Sequence, residues 1–342
     1  MSFKIAIGHK IQTGPYGGGN AFVKSLSQGL VLSGNQVFFD LYEPNLDFII
    51  MTDPRASSPN VSFAAKAILQ YLKLFPNTIV IHRINECDER KGTYFMNLRL
   101  RLANYCADHT VYVGAWLKKL NLINSCNINR SSSVILNGGD QSIFNSSGQS
   151  VWSGEGPLKI VTHHWGGNWM KGFDVYSDLD NQLANPLMRE LFEFTYIGKL
   201  PKGFKFKYAN YIEPLSGEIL ARQLKRHHVY LTASINEPGG NHQIEGGLCG
   251  LPIIYRNSGC LPEYCDGYGL MFERENIIEA IHDMRHGYQF FLNKMSAFPH
   301  TANLTVNNWI ALLDKLNLSR STLISSRHQS YIYHLLNKYL IY

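Results

Sequence analysis

Short apolar runs separated by polar, helix-periodic stretches organise this chain. Lys4-Ile5-Ala6-Ile7 reads as a strand and breaks into the glycine-rich stretch from Gly14 to Asn20. Residues 21–32 then place Phe22, Leu26 and Leu30 at helical spacing, and Ser33-Gly34-Asn35 supplies a C-terminal stop. Further apolar runs predict strands at 36–41, 48–51, 78–82, 110–113 and 133–136, with helices at 64–74 and 97–106. Residues 145–157 lose periodicity and are rich in Ser, Gly and Asn, the composition of a linker. The pattern restarts with strands at 158–162, 192–197, 229–232 and 252–255, and a short apolar run at 270–272. Helices are predicted at 217–224, 243–249, 276–284 and 307–316. Such strands, alternating with helices, belong to parallel sheets covered on both faces. The expected fold class is therefore α/β, two Rossmann-like domains facing a cleft. Their expected bounds are 1–148 and 158–305, with a linker at 149–157 and C-terminal helices over 306–342. Ligands in such sheets bind beyond the carboxyl ends of the strands.

Composition narrows this picture. A length of 342 residues suits two domains at roughly 150 residues each. The 45% hydrophobic content supports a sizeable core, and only 17% of residues are charged. The net charge of +6 suits an anionic ligand without identifying one. No apolar run reaches the roughly 18 residues a membrane helix needs. The N-terminus reads as a strand and not as a signal peptide. None of the six cysteines lies in a C-x-x-C pair, so reduced thiols and a cytoplasmic location are expected, without zinc. Lys199, Lys202, Lys205 and Lys207 form a basic run near an expected hairpin and read as a solvated face, not a nucleic-acid site. The aromatic-basic segment 326–342 is a candidate for peripheral contact with a membrane interface.

The most informative stretch runs from Ala233 to Glu245, after a predicted strand and into a predicted helix. Its glycines allow close approach of backbone to a ligand, and the amides around Gly240, Asn241, His242 and Gln243 stand where a helix start offers N–H groups to an anion. Glu237 and Glu245 flank that point. Carboxylates accept from hydroxyls, so the pair suits a ligand with hydroxyls on both sides of a diphosphate. The loop Gly17-Gly18-Gly19 is not G-x-G-x-x-G, because position 22 is Phe, which weakens a dinucleotide-binding reading.

This set of residues resembles the retaining glycosyltransferases of the GT-B fold, family 4 type. Glu237, Gly240 and Glu245 fit that family's E-x7-E signature. The stretch 245–254, the turn Ser258-Gly259-Cys260-Leu261-Pro262-Glu263 and the run 269–272 follow in the family's order. The glycine loop at 17–19 and Asn137-Gly138-Gly139-Asp140, with Phe144 beyond it, match its first half. The resemblance covers roughly residues 4–285. It implies a donor domain in the second half, an acceptor domain in the first, and a last helix packed back on the first domain. It implies that Glu245 holds the ribose and Glu237 the transferred sugar, with phosphate or sugar meeting the amides of 241–243. Lys171-Gly172 matches the family's R-x4-K-G, but the Arg position is Gly166. His163, His164, Asn168 or Lys199 are candidates to replace it beside the leaving diphosphate. Base contacts are expected near Pro214 and Leu215. Gly18 and Gly19 are expected near a donor phosphate or an acceptor.

On the acceptor side, His82 stands where the family places a His beneath the anomeric carbon, and Asn85, Glu86 and Asp88 are candidate acceptor contacts. Asp178-Leu179-Asp180 has the spacing of a metal motif but not its place, and no metal is expected. The implied donor is a nucleoside diphosphate sugar, UDP- or GDP-linked, with no permanent cofactor. The implied acceptor is a glycan or lipid-linked hydroxyl. A phosphorylase or epimerase on the same fold, or a non-catalytic carbohydrate- or nucleotide-binding module, are the alternatives.

Overall fold

A computed structural model describes residues 2–12, 17–120 and 131–327. The chain divides into two compact units, Met1–Asn137 with Ala302–Tyr342, and Gly138–Thr301.

The first unit carries β1 (Lys4–Ile7), α1 (Gly18–Leu32), β2 (Gln36–Phe38), β3 (Phe48–Met51), α2 (Ala65–Leu74), β4 (Ile79–Ile84), α3 (Met96–Asn104), β5 (His109–Tyr112), α4 (Ala115–Lys119) and β6 (Ser131–Val134). Its sheet is parallel throughout, in the order β2-β1-β3-β4-β5-β6. Every residue of β3, β4 and β5 is buried, as helices on both faces require.

The second unit carries β7 (Leu158–His164), α5 (Phe173–Gln182), α6 (Pro186–Leu191), β8 (Phe192–Gly198), β9 (Asn210–Ile212), α7 (Gly217–Leu224), β10 (Val229–Thr232), α8 (His242–Leu248), β11 (Ile253–Arg256), α9 (Leu261–Cys265), β12 (Gly269–Phe272) and α10 (Ile277–Met295). Its parallel sheet runs β12-β11-β10-β7-β8-β9. Counted from β7, that is the 3-2-1-4-5-6 order of doubly wound sheets, whose switch point lies between β7 and β10. Both units are Rossmann-like.

The chain then returns to the first unit as α11 (Ala302–Leu318) and α12 (Arg320–Ser325). Trp309 of α11 is buried against Phe22 of α1, with ring centroids 5.7 Å apart. Beyond α12, Arg327 reaches Asp108 through two hydrogen bonds of 2.9 and 2.8 Å, and donates to the carbonyls of Pro76 and Thr78. The predicted packing of C-terminal helices on the first domain is therefore present. Most of the aromatic-basic segment, residues 328–342, lies outside the described residues.

Several expectations need correction. The units divide between Asn137 and Gly138, ahead of the expected linker at 149–157, and rejoin at Ala302. The linker stretch is tied to the second unit: Ser150 donates to the Lys225 carbonyl at 2.8 Å, and Trp152 is buried against Tyr288. The strand expected at 133–136 forms at Ser131–Val134, where Ser131 and Ser133 hydroxyls bind the His109 ring. No hairpin follows β8, because β9 pairs with it in parallel. Their connection is pinned by Asp180, whose carboxylate accepts from the amides of Lys207, Tyr208 and Ala209. That commitment gives the Asp178-Leu179-Asp180 spacing a structural role.

Candidate functional site

The carboxyl ends of β7 and β10 flank the switch point, and the loops leaving them carry most of the candidate residues of the second unit. The loop after β10 is held from three sides. Ile235 donates to the Met170 carbonyl at 2.8 Å, Asn236 donates to the Ser258 hydroxyl at 2.8 Å, and Cys260 donates to the Glu237 carbonyl at 2.7 Å. Asn236 takes a left-handed conformation at φ 50°, which only a few non-glycine residues tolerate. Gly259 itself has φ 61°, and a Cβ there would lie 2.4 Å from Glu237 backbone. The Ser258-Gly259-Cys260 turn is thus a brace for Glu237.

So braced, the Glu237 side chain is buried and meets Lys171 Nζ at 3.1 Å. The carboxylate is the buried partner and the ammonium stays half-buried, so the pair neutralises a charge that burial alone would make costly. Glu245, on α8, meets His163 Nε2 at 2.8 Å and is partly open to solvent. Gly240 lies over the His242 ring and the Gln243 amide, and a Cβ there would strike both within 2.9 Å. The His242 ring bonds the Thr232 hydroxyl at 2.8 Å. Gln243 and Ser234 are fully buried, and their side-chain polar atoms have no hydrogen-bond partner among the described residues. At seven residues α8 adds little macrodipole, so any anion contact here falls to individual amides of Asn241, His242 and Gln243.

The candidates for the missing Arg separate cleanly. His164 binds the Tyr176 hydroxyl at 2.8 Å, deep beside β10, and burial raises the Tyr176 pKa. Asn168 accepts from Met170 N as a helix cap. Lys199, at the carboxyl end of β8, is exposed, stands 4.5 Å over the Trp165 ring and makes no ion pair among the described residues. Pro214 and Leu215 are half-buried in the loop after β9.

In the first unit the acceptor candidates divide. His82 sits mid-strand in β4, fully buried, with Nδ1 2.9 Å from Asn104 Oδ1. Burial pulls its pKa down to about 4. It is a core histidine and presents no atom to solvent. Asp88 caps α3, accepting from Thr93, Met96 and Asn97. Burial alone would raise its pKa; these bonds outweigh burial and lower it. Its oxygens are therefore occupied. Glu86 pairs with Lys91 at 2.6 Å through one oxygen, and the other is buried without a hydrogen-bond partner among the described residues. Asn85 is half-buried beside it. Gly18 and Gly19 open α1, and no described atom lies within 4 Å of a Cβ added at Gly17 or Gly19.

Residues outside the sequence motifs complete this end of the sheet. His9, just beyond β1, is buried; burial, opposed by a hydrogen bond to Asn20, lowers its pKa, and the charge of Arg83 acts in the same direction. Arg83 stacks on Phe22 and donates to Asn137 at 2.8 Å, while Asp53 chelates Arg55. No spacing rule announces such a cluster, because β1, β3 and β4 are far apart in sequence. In the second unit Tyr176 and Tyr230, which bind the paired histidines, were equally silent as ordinary strand and helix aromatics.

Solved structures share this architecture. A sucrose-phosphate synthase from Thermosynechococcus elongatus is 13% identical, with a TM-score of 0.61 over 95% of this chain and 100% of that one. A glycosyltransferase from Rickettsia africae is 13% identical, with a TM-score of 0.64 over 92% and 98%. The Anabaena protein HepE, solved with UDP and glucose, is 12% identical, with a TM-score of 0.63 over 92% and 99%. No protein-family model and no curated protein matches the sequence. The fold is GT-B, the two-domain Rossmann-like architecture of these glycosyltransferase structures.

Proposed function

We propose that this chain is a retaining, metal-independent glycosyltransferase that moves a sugar from a nucleoside diphosphate sugar to a hydroxyl of a glycan or lipid-linked acceptor. The observation that carries the reading is the part-buried Lys171–Glu237 pair, set with Glu245 at the switch point of the second sheet. In this reading Glu245 accepts from the ribose and Glu237 from the transferred sugar. Lys171 and Lys199 offset charge on the departing diphosphate, the main electrostatic need of the step. Lys199 is favoured over the histidines because its ammonium has no carboxylate partner among the described residues. The leaving phosphate takes the acceptor proton on the same face, so no protein base is assigned. Asn85 and Glu86 are the proposed acceptor contacts; Asp88 is withdrawn from that role, and His82 from the place beneath the anomeric carbon.

HepE was solved with UDP, which supports trying UDP-sugars first, with GDP-sugars as the other arm. The test is a panel of UDP-, GDP- and ADP-sugars, read by mass spectrometry for hydrolysis or transfer and by NMR for the product anomer. Consumption of one donor with a retained anomer is expected. An inverted anomer, or consumption only with free phosphate as acceptor, would overturn the reading.

A further inference from the structure

The contact between Glu245 and His163 belongs to a longer chain of hydrogen bonds. His163 lies near the end of β7, and Tyr230 stands on β10 across the switch point. The Tyr230 hydroxyl accepts from the His163 backbone N–H at 3.2 Å and lies 3.1 Å from His163 Nδ1. His163 Nε2 lies 2.8 Å from Glu245 Oε2. An ionised carboxylate only accepts, so Nε2 donates to it; in the neutral ring Nδ1 then accepts from the phenol, for which it is a nearer acceptor at 3.1 Å than the His163 carbonyl at 3.4 Å. Burial raises the Tyr230 pKa, which keeps that phenol a donor. The chain therefore runs in one direction, from Tyr230 through the imidazole to the carboxylate. It occupies Oε2 of Glu245. Oε1 has no partner among the described residues.

We propose that His163, oriented by Tyr230, is the positioning residue that fixes the Glu245 carboxylate for the two ribose hydroxyls of the donor nucleotide. The inference rests on the reading of Glu245 given under Proposed function. A free Glu side chain samples several rotamers, and freezing them before binding strengthens recognition. His163 touches no ligand in this scheme and acts through Glu245. Its removal is felt only by ligands that carry the hydroxyls.

Binding of UDP, GDP and ADP is compared with that of their 2′,3′-dideoxy forms, for the wild type, His163→Ala, His163→Gln and Tyr230→Phe. Near-ultraviolet circular dichroism checks that each variant is folded. The wild type is expected to favour one ribonucleotide over its dideoxy form by on the order of tenfold. His163→Ala loses most of that ratio yet binds the dideoxy form as the wild type does. His163→Gln recovers part of it, because a side-chain amide N–H can still donate to Glu245. Tyr230→Phe falls between. Folded variants that all keep the wild-type ratio overturn the positioning role while leaving Glu245 in place. A wild type that binds a nucleotide without preferring ribose overturns the reading of Glu245 itself, and so does one that binds none of the three.

Discussion

Glu237 is a carboxylate placed where water hardly reaches it. Its carboxylate is buried, its predecessor holds a left-handed backbone, and Lys171 Nζ meets it at 3.1 Å. Lys171→Met leaves that carboxylate without its ammonium and should destabilise the fold by about 3 kcal/mol. Adding Glu237→Gln to the same chain should recover most of the loss, since a neutral amide needs no counter-ion. Urea unfolding of the two variants checks this. Lys199→Met should differ: it leaves stability within about 0.5 kcal/mol of wild type, because the ammonium is exposed. It should lower turnover by roughly tenfold to a hundredfold if it meets the diphosphate. Steady-state rates beside the unfolding curves separate the two lysines. The placement of Glu237 and Glu245 on one loop and the helix it opens was legible in the sequence because their spacing is local, and Lys171 meets Glu237 there. His82 and Asp88 misled for a physical reason. Residue type and position near a strand end do not say whether a side chain packs beneath the next helix, as His82 does against Asn104, or turns back to cap it, as Asp88 does.

Among the elements, α11 and α12 carry the clearest energetic statement. They lie more than 160 positions from the rest of the first unit in sequence, yet they complete its core. Trp309 is 1% exposed, and Trp309→Ala should cost about 3–5 kcal/mol by leaving a cavity against α1. Arg327→Met removes the two-pronged partner of Asp108, which is itself buried, and should cost a similar amount. Both losses should appear as a lowered unfolding midpoint of the first unit. Removal of residues 328–342 tests a different matter, whether that aromatic-basic segment adds affinity for vesicles of anionic lipid. Strands with continuous apolar runs, such as β3 and β10, were readable to the residue from sequence. The two helices over 173–191 and the parallel β9 were not. Phe173, Tyr176 and Leu179 pack inward, but their polar neighbours mask the period, and β9 is a three-residue edge strand whose pairing depends on the Asp180 clamp.

Across the whole molecule, buried histidines set the response to acid. His82 and His109 in the first unit, and His227 and His300 in the second, are each pulled down to about 4, chiefly by burial. Unfolded, they titrate near 6.5. The stability they contribute as neutral groups is complete above about pH 6.5. It is lost as pH falls toward 4, because the unfolded chain binds protons first. The expected loss is on the order of 1–3 kcal/mol for each group by pH 4. Unfolding midpoints measured from pH 7.5 to 4.5 should fall steadily, and His300→Gln should flatten part of the slope. Equal stability at both ends of that range would contradict the assignment. Two parallel sheets of six strands place both sets of polar residues at the carboxyl ends of their strands, where doubly wound folds bind ligands.

Glu245 and Glu237 are proposed to divide the donor between them, one holding the ribose and the other the transferred sugar. Steady-state kinetics of the wild type, Glu237→Ala and Glu245→Ala, on the donor that the nucleotide-sugar panel identifies, measures this division. Glu245→Ala should raise KM for the donor with kcat little changed, and Glu237→Ala should lower kcat by at least a hundredfold with KM nearly unchanged. Transfer by both variants at the wild-type rate would contradict the assignment of this site.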